Sequence, residues 1–236
     1  MKKDEIVELL EMKSADDAVL DKIVRYADLL VEWNKKINLT AIRDERSIYL
    51  KHFKDSLQVV SFLDQVKIES LVDVGSGAGF PGIPIGILYG DIRVYLVESV
   101  GKKVKFLENV IGVLGLKQVK AVNARIEDLS GKHSPLGKVD AVVGRAIFYL
   151  PIMLELCSGL VRENGYIIAY KSCKGLAEEL SDAKDIVQMY NLVVEREIRY
   201  SIEDDDRVLI IYKKTKEVND FKPRPLIRLK KMYKRG

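Results

Sequence analysis

The residues best equipped for chemistry are a carboxylate and three alternating glycines, in Asp73-Val-Gly75-Ser-Gly77-Ala-Gly79-Phe-Pro81-Gly82. The apolar run Leu71 to Val74 before them reads as a strand, and the stretch after them reads as a helix with Pro81 in its first turn. Alternate glycines let the backbone turn sharply and come close to a ligand, while the free N–H groups of a helix start attract a carboxylate or phosphate. A nucleotide-like cofactor is the first expectation. Two registers overlap, Gly75-x-Gly77-x-Gly79 and Gly77-x-Gly79-x-x-Gly82, and the second matches the dinucleotide-binding fingerprint.

Asp73 lies inside the strand, where a dinucleotide fold has an apolar residue and where a buried carboxylate is costly unless donors reach it. Glu98 ends the next strand pattern, 25 positions on, where a doubly wound fold sets an acid against the cofactor ribose. A third pattern leads to Ala124-Arg125-Ile126-Glu127-Asp128 and a fourth to Gly144-Arg145-Ala146, both at carboxyl strand ends, where open α/β sheets bind ligands. The first glycine register resembles the loop of S-adenosylmethionine methyltransferases. That resemblance implies that Asp73 orders the loop and helps hold the methionine amino group, that the helix start suits the methionine carboxylate, and that residues 124–128 face adenine. Glu98 would serve NAD equally well, so it marks an adenosine-bearing ligand without choosing the cofactor. The alternatives are a helix cap for Glu127 and Asp128 and a salt bridge for Arg145.

The elements that must position these residues follow from periodicity. From Asp16 to Lys36, the residues Val19, Leu20, Ile23, Val24, Ala27, Leu30 and Val31 recur at helical spacing. Weaker helical patterns cover Ile6 to Met12 and Ser47 to Phe62, predicting a helical cap over 1–66. A change of pattern then opens a domain over 67–214. Short strand candidates at Leu71 to Val74, Arg93 to Val97, Val119 to Val122, Val139 to Val143 and Tyr166 to Tyr170 alternate with helices, which predicts a parallel sheet built from βαβ units. Leu192 to Tyr200 and Arg207 to Lys213 are joined by only 201–206, too short for a parallel crossover, so they form an antiparallel hairpin. The predicted fold class is α/β, Rossmann-like, with a mostly parallel seven-stranded sheet, a C-terminal hairpin and an N-terminal helical cap.

Asp73 and the terminal hairpin favour S-adenosylmethionine over NAD as cofactor. An NAD-dependent oxidoreductase would also need a substrate domain with proton-transfer residues, and two scattered histidines, His52 and His133, supply none. Cys157 and Cys173 form no metal-binding pattern, so neither a zinc nor an iron–sulfur site is expected. The charged start Met1-Lys-Lys-Asp-Glu-Ile and the absence of a long apolar run predict a cytoplasmic protein. The formal charge of +4 hides a segregation. Lys213 to Gly236 hold ten Lys/Arg against two Asp/Glu, net +8, which leaves −4 for the first 212 residues. The stretch 215–236 is therefore expected to be a basic, linker-like tail whose cations neutralise RNA phosphates or simply aid solubility.

Absences narrow the methyl acceptor. There is no Pro-Pro dipeptide of the kind that grips an exocyclic adenine amine, and neither cysteine sits in a setting for attack on a pyrimidine carbon. A ring nitrogen with an exposed lone pair, such as guanine N7, needs only in-line placement. A protein that binds the cofactor without catalysis stays open beside this reading.

Several motifs in order then bring the whole chain close to one family. Trp33-Asn34 with Asn38-Leu39-Thr40-Ala41, His52 with Asp55-Ser56-Leu57, Asp73 to Pro84, Glu98 with Lys102-Lys103 and Phe106-Leu107, Arg125 to Glu127, and Arg145-Ala146 resemble the glucose-inhibited division protein B family of bacterial 16S ribosomal RNA guanine-N7 methyltransferases. The resemblance implies cofactor contacts at Gly75, Phe80, Ile126, Glu127 and Arg145, alongside Asp73, Gly77, Gly79 and Glu98. Together with the cysteine pattern and the lack of a long apolar run, the expectation is no catalytic side chain, no metal and no membrane, with 16S ribosomal RNA or a small-subunit assembly intermediate as partner and a monomer as the favoured state. His52 and Asp55 are expected to link cap and sheet. Lys171 and Lys174-Gly175 resemble the family's lysine-glycine segment with two residues intervening, and in the tail only Lys222-Pro-Arg-Pro225 and the later lysines resemble its basic end.

Overall fold

The computed structural model describes residues 1–12, 16–130, 134–218, 221 and 223–233; His133 and Lys222 lie outside them. Among the described residues, seven strands form one sheet in the order β3-β2-β1-β4-β5-β7-β6. They are β1 Ser70–Val74, β2 Arg93–Glu98, β3 Val119–Asn123, β4 Val139–Arg145, β5 Val161–Ser172, β6 Leu192–Ile202 and β7 Asp205–Lys214. Strands β1 to β5 pair in parallel, and β7 enters antiparallel between β5 and β6. β1 is buried at all five positions, as a central parallel strand covered on both faces must be. The strand order reverses between β1 and β4, so their carboxyl ends open a crevice at the switch point.

Before the sheet come α1 Lys3–Leu10, α2 Asp17–Asn34, α3 Glu45–Ile48, α4 Asp55–Leu57 and α5 Val60–Leu63. α2 is capped by Asp16, whose carboxylate accepts the Ala18 N–H at 3.1 Å, and it buries Leu20, Ile23, Tyr26, Ala27, Leu29 and Leu30. The Ser47 to Phe62 pattern is not one helix. A π-helical turn, Tyr49–Lys54, interrupts it, holding Tyr49, Leu50 and Phe53 in the core while the chain continues into Asp55 and Ser56. These helices share one hydrophobic cluster with a face of the sheet, in which Ile23, Leu30 and Phe53 join Leu71, Leu96, Ile168 and Ile211.

The crossover helices are α6 Gly82–Leu88, α7 Gly101–Leu114, α8 Ile126–Leu129 and α9 Leu150–Ser158, followed by α10 Leu176–Met189. Val72, Val74, Val142 and Ile167 on the opposite sheet face pack with residues of α8, α9 and α10. The hairpin is tighter than its sequence pattern, since β6 and β7 run to Ile202 and Asp205 and leave a turn at Glu203 (φ 53°) and Asp204. β5 starts at Val161, ahead of its apolar run, because Val139 pairs with Val161 before a register shift.

The described part of the C-terminal stretch is not a linker. Lys214 Nζ, 1% exposed, donates to the carbonyls of Ser158 (3.1 Å) and Val161 (3.0 Å) and pairs with Glu217 (2.7 Å). Phe221 packs against Gly159 and lies 5.3 Å from the Tyr190 ring. Glu155 of α9, wholly buried, accepts the Arg224 backbone N–H at 2.7 Å and pairs with its guanidinium, and α11 Leu226–Met232 buries Leu229 beside it. A buried carboxylate needs such a partner, so the fold recruits one from the tail.

Candidate active site

The glycine loop closes on its own hydrogen bonds. Gly79 and Phe80 N–H donate to Ser76 O (2.7 and 3.2 Å), and Ser76 N–H donates to Val97 O (3.1 Å). The start of α6 is spent in the same way: Gly82 N–H donates to Asp73 Oδ2 at 2.9 Å, Ile83 N–H to Gly79 O at 2.8 Å, and Pro84 has no N–H. This corrects the expectation of a carboxylate seat at the helix start, because its donors are already used. Gly82 packs tightly beneath the loop, where a Cβ would meet Leu96 and Asp73.

Asp73 is fully buried, and its Oδ1 has no hydrogen-bond partner. Burial pushes its carboxyl up to about 7, opposed by the Gly82 N–H. An orphaned buried acceptor of this kind calls for a donor, and a cationic one would restore the charged form. The α-ammonium group of an amino-acid-bearing cofactor has that chemistry.

Above the switch point lies a cleft of about 380 Å³ lined by Gly75, Val97, Glu98, Ser99, Ala124 to Glu127, Ala146 to Phe148 and Leu226. Glu98 is 6% exposed and already accepts Gly77 N–H (3.0 Å) and Val100 N–H (2.8 Å), one on each oxygen. Each oxygen keeps a lone-pair site for a vicinal diol such as a ribose. Ile126 adds a buried apolar surface and Glu127 a polar one. Gly75 (φ +64°) sits directly under Ile147, whose Cδ1 would be 1.9 Å from any Cβ placed there, so the close approach requires glycine. At Gly77 (φ +58°) a Cβ would meet only Gly75 O at 3.8 Å, leaving open space above the loop.

Polar contacts from β5 and α10 hold the 146–150 wall. Lys171 Nζ donates to Phe148 O (2.7 Å) and pairs with Glu179 (2.6 Å), while Glu179 also accepts Leu150 N–H (2.7 Å). Lys171 is thus turned into the protein, its side chain 10% exposed, and not outward toward RNA.

Four of the expected contacts, Gly75, Glu98, Ile126 and Glu127, line the cleft, and Asp73 and Gly77 support it through the loop. The other three face the cap. Gly79 packs under Tyr26, whose hydroxyl donates to Ala78 O. Phe80 is stacked between Tyr26 (4.9 Å) and His52 (4.7 Å). The guanidinium of Arg145 lies 5.3 Å from the Phe80 ring and pairs with Asp55 at 2.8 Å while donating to Lys51 O and His52 O. Arg145 thus clamps the cap to the sheet, sharing the neutralisation of Asp55, 1% exposed, with Arg207 at 3.5 Å, and it is not among the residues that line the cleft. Asp55 also accepts the Tyr200 hydroxyl at 2.7 Å. His52 accepts from Arg145 through Nδ1 (3.3 Å), so its Nε2–H donates to Thr40 Oγ1 (2.8 Å), and burial pushes its pKa down to about 3. It links cap and sheet as a neutral ring.

Among the lining residues that sequence reasoning missed are Ile147, Phe148 and Leu226. The first two directly succeed the Gly144-Arg145-Ala146 signal and were within reach of it; Leu226 carried no signal, since it comes from a stretch read as a tail.

The sheet order, the reversed β7 and the acid-lined cleft at the switch point together define a methyltransferase of the Rossmann-like kind. A putative O-methyltransferase from Klebsiella pneumoniae shares the fold, with a TM-score of 0.61 over 91% of this chain and 96% of that one at 11% identity. So does M. jannaschii TYW2 in complex with AdoMet, with a TM-score of 0.52 over 70% and 77% at 16% identity. At the sequence level, the family described as rRNA small subunit methyltransferase G matches residues 19–205. The chain belongs to that family. It is 36% identical over 220 residues to ribosomal RNA small subunit methyltransferase G of Lysinibacillus sphaericus (92% of each chain), and 41% identical over 203 residues to that of Lactobacillus johnsonii (84% of each).

Proposed function

We propose that this enzyme transfers the methyl group of S-adenosylmethionine to N7 of a guanosine in 16S ribosomal RNA. Membership of the rRNA small subunit methyltransferase G family supports the reaction class and the rRNA substrate. The observation that carries the cofactor is the unpaired, buried Oδ1 of Asp73 beside a cleft lined by Glu98. Asp73 would hold the cofactor's amino group, Glu98 its ribose hydroxyls, and Ile126 with Glu127 its adenine. When bound, the cofactor supplies a methyl group on a sulfonium leaving group.

The choice of N7 rests on what the reaction does not need. A ring-nitrogen lone pair attacks without losing a proton, so orientation and exclusion of water suffice. The described side chains offer little else: His52 is neutral with both ring nitrogens engaged, and Cys157 is buried with its thiol pKa pushed far up. An rRNA substrate places the work in the cytoplasm.

The test is transfer of a labelled methyl group from S-adenosylmethionine to 16S rRNA, with NADH and S-adenosylhomocysteine titrated in parallel by calorimetry. Label on the RNA and binding of S-adenosylhomocysteine are expected. Cofactor binding without transfer would leave a sensor, and binding of NADH alone would defeat the reading.

A further inference from the structure

The segment Pro223–Tyr233 has two unlike sides. Its inner side is fastened to α9: Arg224 engages the wholly buried Glu155 through its backbone N–H and its guanidinium, Leu229 is fully buried, and Tyr233 lies 5.7 Å from Tyr149. This anchorage puts Leu226 into the lining of the cleft that also contains Glu98 and Ile126. Its outer side carries Arg228, Lys230 and Lys231, all exposed and without an acidic partner among the described residues. A solubilising tail has no use for a buried carboxylate receptor, and a mere plug has no use for three outward cations. We infer that Pro223–Tyr233 is a two-sided strap, in which Leu226 is a wall of the cofactor site and Arg228, Lys230 and Lys231 take phosphates of the RNA, so that RNA and cofactor each strengthen the other's binding.

The coupling follows from linkage. Both ligands favour the docked strap, the cofactor because docking sets Leu226 against its cleft and the RNA because docking orders the short helix that holds Arg228, Lys230 and Lys231 as a fixed array, so each lowers the cost of docking for the other. The inference rests on the methyltransferase reading.

Calorimetry of S-adenosylhomocysteine with the full-length protein, with and without a saturating 16S rRNA transcript, tests it. RNA should raise the wild-type cofactor affinity about fivefold or more. Leu226→Ala should lower the RNA-free cofactor affinity severalfold, and Leu226→Met, similar in volume, should restore it. Replacing Arg228, Lys230 and Lys231 by Ala should weaken RNA binding, lessen its salt slope by about 2 to 3, and abolish the coupling. A wild-type cofactor affinity indifferent to RNA, or equal cofactor affinity in Leu226→Ala and wild type, would overturn the strap. Failure of the wild type to bind S-adenosylhomocysteine at all would overturn the methyltransferase reading, and the strap with it.

Discussion

Asp73 is held in the ligand-free protein at a cost. Its pKa is raised to about 7 from an ordinary carboxylate value, so the folded state binds a proton that the unfolded state has released between roughly pH 4 and 7. Stability of the free protein therefore falls as pH rises through that window, the reverse of a salt-bridged aspartate. Asp73→Asn keeps an acceptor for Gly82 N–H, and should make the ligand-free protein at least as stable as wild type at pH 8 while weakening cofactor binding tenfold or more, read by thermal melts and calorimetry. Wild-type cofactor affinity should drop as pH falls below about 7, as a proton competes for Oδ1, and the Asn variant should lose this dependence. Gly77→Val is the companion test. Its Cβ meets little protein, so beyond about 1–2 kcal/mol of left-handed backbone strain its main effect should be loss of cofactor affinity.

At the scale of elements, the site depends on how the cap grips the end of β4. The Asp55–Arg145 pair, with Tyr200 and the stacked Tyr26, Phe80 and His52 rings, joins α2, the π-helical turn, the glycine loop and β6. Arg145→Met should destabilise the fold by about 3 kcal/mol in urea unfolding, because buried Asp55 would be left with only the longer contact to Arg207 at 3.5 Å and the Tyr200 hydroxyl. Asp55→Asn combined with Arg145→Met should cost less than the sum of the two single changes. The strands were legible because period-2 and all-apolar runs are local signals, and Glu98 because its place at a strand end follows from chain order. Arg145 stayed ambiguous for the opposite reason: its partner lies 90 residues away, and nothing local distinguishes an arginine that binds ligand from one that neutralises a buried aspartate. The π-helical turn was hidden as well, since its apolar residues fit an ordinary helix equally well.

The whole molecule is a sheet with its cofactor cleft at the switch point, roofed on one side by helices and bounded on another by a returning C-terminal segment. Charge counting found the basic end of the chain but not its path, because Glu155 and Gly159, the groups that receive it, read as ordinary helix positions. Deleting 216–236 should therefore do more than weaken RNA binding. It would strip Glu155 and Lys214 of their charge partners Arg224 and Glu217, lowering stability by roughly 3 kcal/mol or more and cofactor affinity with it, as measured by urea unfolding and calorimetry. For the activity as a whole, the most direct measurement is to map the modified nucleotide. 16S rRNA incubated with this protein and S-adenosylmethionine is cleaved by borohydride and aniline, which act at N7-methylguanosine, and its nucleosides are identified by mass. A single new cleavage with one N7-methylguanosine is the result expected; methylation at another atom or base, or none, would contradict it.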